Sequence, residues 1–144
     1  MAKRNGSAEW RGGLQSGSGT VRVGDGIFEG EYSANSRFGE GDSPQTNPEQ
    51  LIAAAHAACF SMALSNILGT AGHTPNSVRT DARVTLRFIN DAPTITRIDL
   101  YTTGMVPGLD EAQFQTLAEE AKSGCPVSRA LAGVSEITVT ATLV

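Results

Sequence analysis

Residues 47 to 64, NPEQLIAAAHAACFSMAL, restrict the fold more than any other stretch of the chain. Asn47 suits a helix N-cap, Pro48 suits the first helical position because its missing N–H would have no partner there, and Glu49 puts negative charge at the positive end of the helix dipole. Gly69, Gly72 and Pro75 then stop a helix of about 20 residues. Leu51, Ile52, Ala55, Ala58, Phe60, Met62, Ala63, Leu64, Ile67 and Leu68 cover most of its circumference, and a helix apolar nearly all round has to be covered on nearly every side. A chain of 144 residues has little material for that. The spacing therefore predicts a helix wrapped by a sheet and by a second copy of the chain, an intertwined homodimer in which the alanines let two such helices approach closely. The segment is nearly long enough for a membrane span, but His56, Ser61, Ser65 and Asn66 dilute it, so no membrane insertion is expected.

The rest of the chain is arranged around this helix. Short alternating runs punctuated by Gly and Ser, at 8–14, 19–23 and 27–33, predict a strand meander. SANSRFGEGDSPQT reads as a loop. After the central helix, Val78 to Ile89 and Ile95 to Val106 alternate and flank the turn-forming NDAP, which predicts an antiparallel hairpin. Asp110 to Lys122 places Phe114, Leu117, Ala118 and Ala121 on one helical stripe; CPVSRALAG follows as a short helix, and EITVTATLV closes the chain as a strand. Strands, helix, strands, two helices and a strand, joined by hairpins rather than regular βαβ units, make an α+β fold in a single domain over 1–144.

A formal charge of −4 and the absence of any Lys/Arg run argue against nucleic acid as a partner. MAKRNGSAEW has basic residues but no apolar segment behind them, so a secretory signal is not expected and the reading is cytoplasmic. In a reducing compartment two cysteines are more often catalytic, metal-binding or buried than a structural disulfide. Cys59 on the central helix could be a small core hydrophobe. Cys125, at the start of the short helix, is placed where a thiol pKa tends to fall, and together the two suggest a redox pair. His56, three residues before Cys59, could favour a thiolate, but a histidine satisfied by a core or dimer hydrogen bond is the better reading. Cys59, Cys125, His56 and His73 lack the short paired spacing of zinc sites, so no metal is expected. Arg37 and Glu49 are unremarkable alone, a loop residue and a helix-start charge.

NPEQLIAAAHAACFSMAL and GCPVSRAL together resemble the two cysteine motifs of the OsmC/Ohr family, and the order of strands and helices is similar over nearly the whole chain. The wording HAACFSMAL and CPVSRAL, with an Arg-Phe pair before the NPE segment, resembles the OsmC branch. The resemblance implies a thiol peroxidase acting on organic hydroperoxides, with hydrogen peroxide a poorer substrate and no cofactor. It implies that Cys59 is the peroxidatic thiol and Cys125 the resolving thiol, that Arg37 stabilises the thiolate and orients the peroxide, and that Glu49 fixes the guanidinium. It also implies recycling by a dithiol reductant of the lipoyl type. Phe38, Phe60 and Met62 are the apolar side chains expected around the substrate.

Glu49 and Cys59 stand ten positions apart on one helix, about 15 Å along its axis and about 80° around it. They can hardly touch directly, so Arg37 and Glu49 are expected to reach Cys59 from the partner chain. The rival expectations are a non-enzymatic structural or small-molecule-binding dimer with Cys59 in its core, and a thiolate metal site.

Overall fold

The computed structural model describes all of residues 1–144. The elements in order are β1 (Gly6–Arg11), β2 (Ser18–Val23), β3 (Phe28–Tyr32), α1 (Ala34–Phe38), α2 (Pro48–Thr70), β4 (Ser77–Ile89), β5 (Ala92–Met105), α3 (Glu111–Gly124), α4 (Pro126–Ala130) and β6 (Glu136–Leu143). The fold is α+β. The chain forms two compact units, Met1–Leu51 and Ile52–Val144.

In the first unit β1, β2 and β3 form an antiparallel meander. Trp10 pairs with Gly19 and Gly19 with Tyr32, so the two aromatic side chains meet across a bare glycine, their ring centroids 5.5 Å apart. A Cβ on Gly19 would come within 2.9 Å of the Trp10 ring and collide with that of Tyr32, which is why the middle strand carries no side chain there. The segment expected to be a loop contains α1. Ser33 caps it, accepting from the Ser36 N–H at 3.1 Å while Ser36 Oγ accepts from the Ser33 N–H at 2.9 Å. Five residues are too few to show helical periodicity, and a Ser-Ser capping box lacks the usual Glu or Gln signature. The chain beyond it is tied back by Ser36 Oγ donating to the Thr46 carbonyl and by Asn47 Nδ2 donating to the Ser36 carbonyl. Asn47 then caps α2, its side-chain oxygen accepting from the Gln50 N–H at 2.8 Å.

In the second unit β4 and β5 form the expected hairpin, closed between Ile89 and Ala92 by two left-handed residues, Asn90 (φ 50°) and Asp91 (φ 63°). Both tolerate that conformation, and its twist matches that of the strands. The last connection departs from hairpin order. β6 lies parallel to β5 at the sheet edge, reached through α3 and α4, giving the order β4-β5-β6. Parallel pairing needs a long crossover, and α3 supplies it. Asp110 caps α3 in a capping box with Gln113, and Gln115 bonds α3 to the backbone of β6 at Val139 and Ala141.

The core of this unit is built from Phe60, Leu64 and Leu68 of α2, Ile98 and Leu100 of β5, Phe114, Ala118 and Ala121 of α3, and Val139 and Ala141 of β6. His56, Phe60, Leu64 and Leu68, each four residues after the last, form the fully buried row of α2. Its opposite row remains open: Ala54, Ala55 and Ala58 are exposed, and Met62 keeps 75% of its surface. By length and composition alone α2 could cross a membrane; here its buried row packs on a β-sheet and α3.

Candidate active site

Each half of the expected site is assembled within one unit. In the first, α1 presents Arg37 and the first turn of α2 presents Glu49. Arg37 Nε lies 3.1 Å from Glu49 Oε1 and 3.3 Å from Oε2, and Arg37 Nη2 lies 2.8 Å from Oε1. The contact is the planar two-pronged kind that only a guanidinium makes with a carboxylate, and it fixes the direction of the arginine as well as its charge. The Glu49 side chain is 10% exposed and that of Arg37 35%, so the carboxylate is anchored and the cation remains reachable. Phe38 lies beside the guanidinium, 5.3 Å from the Arg37 Cζ to the ring centroid. The pairing exists because α1 forms where a loop was expected, placing Arg37 in its last turn.

In the second unit α2 carries Cys59, half-buried, and the junction of α3 and α4 carries Cys125, fully buried. Both thiols are free, and their sulfurs are 3.2 Å apart. A disulfide requires about 2.05 Å, so closure needs a movement of about 1 Å, within reach of side-chain rotation. Cys125 ends α3 and starts α4 with an extended backbone, φ −60° and ψ 122°. Pro126 enforces that break, because the residue before a proline is pushed out of the helical region and Pro is accepted in the first turn of the next helix.

The two thiols are held in unequal states. Burial pushes the Cys59 pKa up, the Val127 N–H pulls it back, and the hydrogen bond and negative charge of Cys125 raise it further, for a net rise. Burial also acts against ionisation of Cys125, but the N–H and hydroxyl of Ser128, the Cys59 thiol and the Val127 N–H outweigh it, and the pKa falls. Of the two, Cys125 is the more readily ionised, and a charge on either sulfur disfavours one on the other. Cys59 needs a further positive charge to become the thiolate.

His56 is fully buried and does not turn to Cys59. Its Nε2 lies 2.7 Å from Ser128 Oγ, the core hydrogen bond expected for it, and burial lowers its pKa, so the ring is neutral. Ser128, three residues after Cys125, was not singled out in the sequence; the i, i+3 spacing within CPVS was the available signal. His73 follows α2 and lines a surface groove with Leu109 and Gln113, apart from the thiols. Of the apolar residues expected near the substrate, Phe38 is 38% and Met62 75% exposed, whereas Phe60 is wholly enclosed in the core.

Residues 39–140 match the family model described as OsmC-like protein. The chain is 47% identical over 129 residues to the peroxiredoxin OsmC of Escherichia coli, 89% of each chain being covered. It is 33% identical over 117 residues to an organic hydroperoxide resistance protein of Xanthomonas axonopodis, covering 81% of this chain and 80% of the relative. Among solved structures, an organic hydroperoxide resistance protein from Elizabethkingia anophelis superposes with a TM-score of 0.75 at 28% identity, over 99% of this chain and 96% of the other. With both cysteine motifs inside the matched region, the chain belongs to the OsmC-like protein family.

Proposed function

We propose that the protein is a cysteine-based peroxidase that reduces organic hydroperoxides to alcohols. The observation that carries this reading is the 3.2 Å approach of two free thiols, one on a half-buried residue and one on a fully buried residue. The names of the relatives, peroxiredoxin and organic hydroperoxide resistance protein, point to the same chemistry.

In the proposed cycle the Cys59 thiolate attacks the distal peroxide oxygen. An S–O bond forms, the O–O bond breaks, and the alkoxide takes a proton and leaves as an alcohol. Cys59 is then a sulfenic acid. The Cys125 thiolate attacks its sulfur, forming the S–S bond and expelling hydroxide, which takes a proton and leaves as water. The disulfide protects Cys59 from irreversible oxidation to the sulfinic acid. A dithiol, which we propose is of the lipoyl type, restores both thiols by exchange. The cycle is cytoplasmic in this reading, where such a reductant is available.

The charge that Cys59 needs is assigned to Arg37, held by Glu49. Their helical spacing from Cys59 makes direct reach within one chain unfavourable, and the open alanine row of α2 fits a second copy. The functional unit is therefore a homodimer with two composite sites, each taking Arg37 and Glu49 from the partner. Phe38 and Met62 supply apolar surface for an alkyl chain, with Phe60 supporting Cys59 from the core side.

The decisive experiment treats the protein with an alkyl hydroperoxide, maps the Cys59–Cys125 disulfide by mass spectrometry, and follows peroxide consumption. Cys59→Ser is expected to have no turnover, and Cys125→Ser to turn over little and accumulate sulfinic acid. Unchanged consumption in Cys59→Ser removes the reading and leaves a structural dimer. Met62→Arg tests the assembly: a monomer in sedimentation with full activity would exclude composite sites.

A further inference from the structure

His56 and Ser128 are buried polar groups that the proposed cycle does not use. His56 is 0% and Ser128 7% exposed, and their contact joins α2 to α4, the two elements that carry the thiols. A polar contact placed in an apolar core is costly unless its geometry is satisfied. Here it is satisfied on one side only, because His56 Nδ1 is buried with no hydrogen-bond partner.

That orphan decides the direction of the contact. A neutral imidazole has one N–H. If it were on Nδ1, a donor would be buried without an acceptor, the rarer defect in folded proteins. With the proton on Nε2, the unfilled atom is merely an acceptor, and Nε2 donates to Ser128 Oγ. The serine oxygen is then occupied as acceptor and its own O–H is turned elsewhere. Cys125 stands three residues before Ser128 at the start of the same short helix, and the Ser128 hydroxyl acts on its sulfur as a donor that favours the ionised form.

We infer that His56 and Ser128 form a directional donor chain, Nε2–H to Oγ, then O–H toward Sγ, that steadies negative charge on Cys125 as it develops beside Cys59. Both are positioning residues: Ser128 acts on the sulfur directly and His56 acts through Ser128. The groups acting on Cys125 come from α2, as Cys59, and from α4, as Ser128 and Val127; α3 contributes the Ala121 carbonyl, which accepts the Cys125 backbone N–H at 2.8 Å. In the peroxidase reading, on which this role rests, Cys125 gives up its proton readily once Cys59 has become the sulfenic acid and attacks it as the thiolate, and in the reduction step it is the better leaving group.

The ionisation itself can be measured without turnover. In the Cys59→Ser background Cys125 is the only thiol, and the pH dependence of its thiolate ultraviolet absorbance, which needs no reagent to reach the buried sulfur, gives its midpoint. Ser128→Ala is expected to move that midpoint up by about one pH unit, roughly a tenfold loss of thiolate below it. Ser128→Thr, which keeps the hydroxyl, is expected to restore it. His56→Leu is expected to move it in the same direction by less, and to add nothing in a Ser128→Ala chain. An unchanged midpoint in Ser128→Ala, or a His56→Leu shift that persists undiminished without the serine hydroxyl, would overturn the chain. With both cysteines present, Ser128→Ala is expected to raise the Cys59 sulfinic fraction per turnover several-fold. If the midpoint moves but no sulfenic or sulfinic acid forms at all, the donor chain stands and the peroxidase reading is what fails.

Discussion

The Arg37–Glu49 pair can be tested for whether it is a fixed unit or an incidental surface contact. Opposite unit charges about 4 Å apart attract by about 4 kcal/mol at an effective dielectric of 20 and about 1 kcal/mol in water. Glu49 belongs near the first limit with a side chain 10% exposed, Arg37 nearer the second at 35%. The desolvation of Glu49 opposes the gain, and about 2 kcal/mol is the expected coupling. The measurement is a double-mutant cycle, with urea unfolding of the parent chain, Arg37→Met, Glu49→Gln and the double variant at one protomer concentration, since association would otherwise shift the midpoints. Glu49→Gln keeps the shape and one acceptor, so it isolates the charge. The coupling should survive in about 0.5 M salt, because a partly buried pair is poorly screened. A coupling below about 0.5 kcal/mol, the value of ordinary exposed pairs, would mean that the carboxylate does not hold the guanidinium and that Glu49 is only a helix-start charge.

Other perturbations follow from the same geometry. His56 is neutral in the folded chain with its pKa lowered by burial, while unfolded chains bind a proton there below about pH 6.5. Stability should therefore be full above that pH and decline as the pH falls below it, and His56→Leu should flatten that part of a pH series of urea midpoints. Phe60→Ala should destabilise by about 3–5 kcal/mol, because the ring is wholly enclosed, lowering the calorimetric midpoint by roughly 10 °C; a loss under 1 kcal/mol would place the ring in an open pocket wall instead. Gly104 lies against the Phe114 ring, where an added Cβ would come within 2.5 Å of it. Gly104→Ala should cost about 1–3 kcal/mol by overpacking the joint between β5 and α3, read as a shift in unfolding midpoint with an unchanged urea slope.

Local signals determined the elements. The cap at Asn47, the apolar spacing from Leu51 to Leu68 and the turn residues Asn90 and Asp91 act through neighbours a few positions away, so α2 and the β4–β5 hairpin were legible in the chain. The five-residue α1 was not, because a single turn leaves no period and its cap is stabilised by contacts with Gln45, Thr46 and Asn47 further along. The cysteine motifs identified both thiols and the family, yet nothing in their spacing says that Cys59 and Cys125 meet. That approach depends on α3 carrying the chain back over the sheet so that β6 lies parallel to β5, a matter of long-range packing. The same packing set the state of each thiol. A cysteine's pKa belongs to its surroundings, and only the folded chain brings Cys59 to the sulfur of Cys125 and His56 to Ser128.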